Sequence, residues 1–188
     1  MPTRCLTIIK DERDAEICVI LRTSNGQPSA HGFDLKRFLS CFTITNGVVA
    51  ESLLERKRKF ARGMNCLASQ IVAHFKSGIG SFYLYPAGTR YLEESYRYTI
   101  YLDAEGIKLE VEAYSEGWHL LFQGLIEWFD PDHAEETWRE QLNLSATKQS
   151  LADSAKTQTD DQDSNKEETD DWWEKALKAE DFPNQVNR

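Results

Sequence analysis

Apolar positions along this chain fall into short blocks whose spacing switches between two and about 3.6 residues. Residues 3–9 (TRCLTII) and 16–22 (EICVILR) read as strands, and the charged stretch Lys10-Asp11-Glu12-Arg13-Asp14 between them predicts a hairpin. Ser24-Asn25-Gly26-Gln27-Pro28 is dense in turn formers. Residues 32–42 carry Phe33, Leu35, Phe38, Leu39 and Phe42 at helical spacing, Asn46-Gly47 marks a loop, and residues 51–59 read as a charged helical turn. The clearest helix is 63–76 (GMNCLASQIVAHFK). There Leu67, Ile71, Val72 and Phe75 form an apolar stripe, and Gly78 and Gly80 follow the end.

Further strands are predicted over 81–85, 96–102, 107–114 and 118–123. In 96–102, Tyr96, Tyr98, Ile100 and Leu102 alternate with Arg97, Thr99 and Tyr101, so the two sets face opposite sides of a sheet. Asp103-Ala104-Glu105-Gly106 predicts a tight hairpin connection, and Asp130 suits the N-cap of a last helix opened by Pro131. The order β-β-α-α-β-β-β-β-α predicts an α+β fold, with a mostly antiparallel sheet packed on one face by two or three helices. No internal repeat is present.

The pattern stops near residue 144. The stretch SATKQSLADSAKTQTDDQDSNKEETDD that follows has one leucine and no aromatic residue. Such a segment cannot bury enough apolar area to offset chain entropy. The expected organisation is a folded domain over 1–144, a disordered acidic linker over 145–170, and a short Trp-containing helical segment and C-terminal tail over 171–188. Trp173 and Leu177, four residues apart, share a helix face, and Asp170 and Asp171 sit where a helix dipole favours negative charge. Apolar surface of this kind docks on its own domain or on another chain. Trp172, Trp173 and Leu177 are therefore candidate partner-binding residues.

Charge narrows the function classes. The 188 residues carry 22 Lys and Arg against 31 Asp and Glu, a net charge of −9. Residues 1–150 hold 17 basic and 20 acidic groups, and residues 151–188 hold 5 and 11, so the excess acidity lies mostly in the tail. A general binder of nucleic acid or anionic membrane needs a basic surface. No run approaches the roughly 18 apolar residues of a membrane-spanning helix. The opening Met1-Pro2-Thr3-Arg4-Cys5 has no secretory core, and Glu12, Asp14 and Glu16 are wrong for a transit peptide, so a cytoplasmic protein without a membrane partner is expected. Cys5, Cys18, Cys41 and Cys66 are far apart with no C-x-x-C pair, and read as reduced core thiols rather than a disulfide or zinc framework.

The remaining chemistry is sparse. Lys76-Ser77-Gly78-Ile79-Gly80-Ser81 is glycine-rich but follows a helix instead of opening one, which suits a C-cap and not a phosphate loop. His31, His74, His119 and His133 show no metal-ligand spacing, and neither a metal nor a cofactor is expected. His31 follows a loop that also offers Ser24 and Asn25, and these three are candidate ligand-binding residues. Arg56, Lys57, Arg58, Lys59 and Arg62 form the densest basic run and are the candidate residues for nucleic acid, against the reading of a solvated helix face. Phe82, Tyr83, Tyr85, Tyr91, Tyr96, Tyr98 and Tyr101 suit base stacking or plain sheet packing.

Met1-Pro2-Thr3-Arg4, the strand ending Ile8-Ile9-Lys10-Asp11, and Glu94-Ser95-Tyr96-Arg97-Tyr98-Thr99-Ile100-Tyr101-Leu102 carry a resemblance. Over roughly residues 1–40 and 65–105 the chain resembles a family of small uncharacterised phage and prophage proteins that begin M-G-T-R or M-P-T-R. Where those proteins often carry an aspartate-glycine-tyrosine-proline turn, this chain has Asn25-Gly26-Gln27-Pro28. The resemblance implies a mobile-element accessory protein acting on a host factor, and it implies no catalytic residue.

Three readings of function follow. The first is a non-enzymatic protein that binds a host protein, such as a defence or nucleic-acid-processing factor. The second is a nucleic-acid-binding module using the 56–62 run and the sheet tyrosines. The third is a small-ligand binder or enzyme with a site near the 24–31 loop. Exposed strand edges also allow a homodimer.

Overall fold

The computed structural model describes residues 3–45, 59–148 and 150. Residues Met1–Glu140 form one unit, and of the second, Gln141–Arg188, residues 141–148 and 150 are described and are helical. The expected helical turn at 51–59 lies outside the described residues except for Lys59, which belongs to a strand. The expected linker over 145–170 and the segment over 171–188 lie outside them as well, save for the start of the linker. Residues 145–148 continue the last helix, and there the Ser145 and Thr147 hydroxyls donate back to the carbonyls of Gln141 and Asn143.

The strands are β1 (Cys5–Lys10), β2 (Glu16–Arg22), β3 (Phe42–Thr45), β4 (Lys59–Arg62), β5 (Phe82–Tyr85), β6 (Tyr96–Leu102), β7 (Ile107–Tyr114) and β8 (Trp118–Leu125). The helices are α1 (Phe33–Leu39), α2 (Gly63–Phe75) and α3 (131–148). A wide π turn, Pro28–Gly32, leads into α1, and a 3-10 turn, Ile126–Trp128, precedes α3. The fold is α+β, as the order of elements predicts.

Six strands form one sheet in the order β5-β2-β1-β6-β7-β8, with every neighbour antiparallel except β1 and β6. The parallel pair arises because the chain leaves β5 at one edge and must cross β2 and β1 to reach β6. The connection takes the face away from the helices, where Tyr85 and Leu92 pack on Leu6, Ile8, Val19 and Leu21. It is fastened by Glu16, which accepts from the Gly88 amide and pairs with Arg90, and by Arg4 on Glu93. β1 is therefore buried on both faces, which explains why residues 5–9 are apolar apart from Thr7, whose hydroxyl is hydrogen-bonded.

The main core lies between the other face and the helices. Cys5, Ile9, Ile20, Tyr98, Ile100, Leu109 and Val111 of the sheet meet Leu35, Leu39, Met64, Leu67, Ile71 and Phe129. Helix α2 starts against the β1–β2 turn, where Glu12 accepts from the Met64 amide at 2.7 Å, a carboxylate at a helix N-terminus. Asp130 caps α3 by accepting from the amides of Asp132 and His133. Helix α1 ends at Leu39, so Phe42 belongs to a strand and not to the helix its spacing suggests; Phe42-Thr43-Ile44-Thr45 is a strand-forming run that pairs in parallel with β4.

Candidate functional sites

Two regions gather polar or exposed aromatic groups. The first lies at the end of the sheet formed by β2 and β5. Alternation along β2 puts Cys18, Ile20 and Arg22 on the helix-facing side, and Arg22 ends that series as a charge at the rim of the core. Its guanidinium is held by three acceptors. Nε donates to the Ser24 carbonyl at 2.9 Å, and Nη1 faces His31 Nδ1 at 2.9 Å and Asp34 Oδ2 at 3.2 Å.

The geometry fixes the state of His31. An arginine only donates, so Nδ1 accepts; Nε2 then carries the proton and donates to Thr7 Oγ1 at 2.7 Å. The ring is neutral. Burial, and then the charge of Arg22, lower its pKa to about 3. Tyr98 meets the ring edge-on at 5.1 Å and Phe75 at 5.6 Å. The loop that delivers His31 is clamped as well. Gly26 donates to the Thr3 carbonyl and accepts from the Tyr98 hydroxyl at 2.8 Å, and a Cβ at Gly26 would come within 2.8 Å of the Arg4 backbone.

Beside this network is a basin of about 260 Å³. Arg22, Ser24 and Asn25 line one side, the 77–81 loop lines another, and Phe75 and Phe82 complete the wall. Of the three expected ligand-binding residues, Ser24 and Asn25 face this basin, while His31 sits behind it, buried and bonded to Arg22. Arg22 was not singled out by the sequence reading. Its signal is its place: a charge at an inward position of an otherwise apolar strand.

The second region is the open face of the β6-β7-β8 half of the sheet. Arg97 lies 3.7 Å above the Trp118 ring, and Trp118 is 5.2 Å from Tyr114. Arg97 is oriented by Glu94, whose carboxyl is held below its usual range: burial, the largest single influence, opposes this, and the hydrogen bonds from Arg97 and from backbone amides, with the Arg97 charge, together outweigh it. The β7–β8 register shifts between Val111 and Glu112. This bulge turns both Leu121 and Phe122 toward the core and leaves Leu120 on the open face. On the same face, burial and the neighbouring charge of Glu112 raise the Glu110 carboxyl. Among the described residues no strand pairs with the outer edge of β8.

The other candidates are dispersed. Lys59 and Arg62 are exposed on β4, and the Lys59 ammonium lies 4.9 Å from the Phe38 ring, which also stacks on His74 at 4.1 Å. Arg56, Lys57 and Arg58 lie outside the described residues, as do Trp172, Trp173 and Leu177. The aromatic row does not share one surface. Tyr96 and Tyr98 are buried in the core, and Tyr83 and Tyr85 lie on the opposite face. The four cysteines are free, with burial raising the Cys5 and Cys18 thiols, and no group of three or more potential ligands among the described residues is placed to hold a metal. No described helix is long and apolar enough to cross a membrane.

These features define an α+β protein with a locked polar network at one end of its sheet and an exposed aromatic patch at the other. No protein-family model matches the chain, nor does any curated protein or solved structure.

Proposed function

We propose that the protein is a non-enzymatic accessory factor of phage or mobile-element kind that binds a host protein, with the β8 edge and its adjoining patch as part of the contact surface. The observation that carries this reading is the eight-residue edge of β8, unpaired among the described residues, beside Tyr114 and Leu120, which are 54% and 57% exposed. An unpaired edge offers backbone donors and acceptors to an extended segment of another chain. Aromatic and arginine side chains such as Trp118 and Arg97 supply anchors at such contacts. Trp172, Trp173 and Leu177 belong to the proposal on sequence grounds, as apolar residues inside an acidic stretch.

The test is capture from host lysate on the immobilised full chain, compared with Leu120→Lys and with a truncation after Leu144. The expected result is a protein partner whose recovery falls about tenfold or more with Leu120→Lys. A partner kept by Leu120→Lys and lost on truncation moves the contact to the tail. No protein partner, with nucleic acid in the eluate, replaces this reading by the nucleic-acid one.

A further inference from the structure

The basin beside Arg22 has features that a merely structural rim would not need. Arg22 uses Nε and Nη1 within the protein, while Nη2 has no acceptor among the described residues. The side chain is 15% exposed and pinned from three directions, so its free nitrogen is held in place before any ligand arrives. Ser24, Asn25, Ser77 and Ser81 also line the basin, and none of their side chains makes a hydrogen bond to another described residue. In a chain of net charge −9, the lining formed by the described residues contains one cation and no carboxylate. Asp34 offsets part of the Arg22 charge from outside the lining.

We propose that this basin binds the phosphate group of a small phosphorylated molecule. Five polar residues line it: Arg22, whose Nη2 is uncommitted among the described residues, and Ser24, Ser77, Ser81 and Asn25, whose side chains make no hydrogen bond to those residues. A carboxylate presents two oxygens, whereas a phosphate monoester presents three strong acceptor oxygens and up to two negative charges. That match favours the phosphate. The rings of Phe75 and Phe82 give the same basin an apolar wall, which suits a flat group carried on the phosphate. This site goes beyond the protein-binding role of the β8 patch and does not depend on it.

The test titrates the full chain with inorganic phosphate, phenyl phosphate and benzoate, followed by calorimetry and by amide shifts. Saturable binding of both phosphates is expected, with phenyl phosphate about tenfold tighter than inorganic phosphate and benzoate about tenfold or more weaker than phenyl phosphate. Asn25→Asp keeps the side-chain size and tolerates the left-handed backbone at this position (φ 54), but places a carboxylate at the basin. It is expected to weaken phenyl phosphate binding about tenfold or more at an unchanged thermal midpoint. Should that variant lose stability, Ser77→Asp on the other wall carries the same expectation. Absence of saturable phosphate binding, benzoate binding equal to phenyl phosphate, or a folded aspartate variant that binds as well as the parent each overturns the proposal. Leu120→Lys is expected to leave phosphate binding intact, which separates a failure here from a failure of the protein-binding role.

Discussion

The two edges of the sheet are built in opposite ways. The β5 edge is four residues long, and Lys76 covers it: its ammonium takes the carbonyls of Gly80 and Phe82 at 3.1 and 2.9 Å and lies 5.4 Å from the Tyr83 ring. Behind that edge stand Arg22, His31, Thr7 and Tyr98, each tied to another. The β8 edge is twice as long, is bent by a bulge, and has no such cover among the described residues. Natural sheets guard their edges with lysines and short strands. Here that protection falls on the edge next to the buried polar network. The difference locates rigidity at β5 and accessibility at β8.

The strongest way to break this comparison is to cut the network. Arg22→Met leaves His31 Nδ1 buried without its donor and removes the partner of Asp34, and an expected loss of about 2–4 kcal/mol follows. Chemical denaturation measures it, and a loss below about 0.5 kcal/mol would show that the β5 end is no more rigid than an ordinary surface.

A smaller effect appears in the pH dependence. The folded pKa of His31 lies below its unfolded value, so its contribution is fully present above the unfolded pKa near 6.5. It is lost as pH falls from there toward 3, because the unfolded chain takes up a proton that the native ring refuses. The slope approaches about 1.4 kcal/mol per pH unit. His31→Gln can still accept from Arg22 and donate to Thr7 but does not titrate. Its stability curve is expected to be flatter between about pH 6.5 and 4.5. That window lies above the range where Glu16 and Glu135, both held below their usual pKa, lose their own stabilisation in acid. Parallel curves for the two proteins would refute the neutral-ring assignment.

The smallest effect on stability sharpens the edge comparison itself. Lys76→Ala uncovers the carbonyls of Gly80 and Phe82, and an expected cost of about 0.5–1.5 kcal/mol accompanies increased self-association by light scattering. If Lys76→Ala stays as monomeric as the parent, the lysine is not what keeps this edge unpaired.

Much of the fold was legible because local patterns decided it. β6 and β7 occupy the residues their alternation predicts, α2 follows its apolar stripe, and the Asp103–Gly106 turn closes with the Asp103 carboxylate accepting from the Glu105 and Gly106 amides. What escaped depends on contacts between distant residues. The β3–β4 pair joins four-residue strands across positions 46–58, too short and too separated for periodicity to reveal. The parallel register of β1 on β6 is set by the route of a crossover connection, not by any residue in either strand. At the site, the 24–31 loop stands out for its residue types, but His31 positions Arg22 from behind rather than facing the basin. That relation joins three separate elements, β1, β2 and the π turn, and no sequence window contains it. The helical state of residues 145–148 shows that a segment poor in large apolar groups can still extend a helix, here with the Ser145 and Thr147 hydroxyls donating back to the carbonyls of Gln141 and Asn143.

The parallel pairing of β1 with β6 also sets a constraint in time. Cys5 meets Tyr96 across about ninety residues of intervening chain, so the middle of the sheet closes only after β6 has been made. Until then the β1–β2 hairpin carries an apolar strand with one unsatisfied side, the kind of intermediate that pairs with the wrong neighbour. Folding is expected to be slow for a domain of this size, limited by that closure and by the pairing of β2 with β5, and not by the local hairpins at β6, β7 and β8.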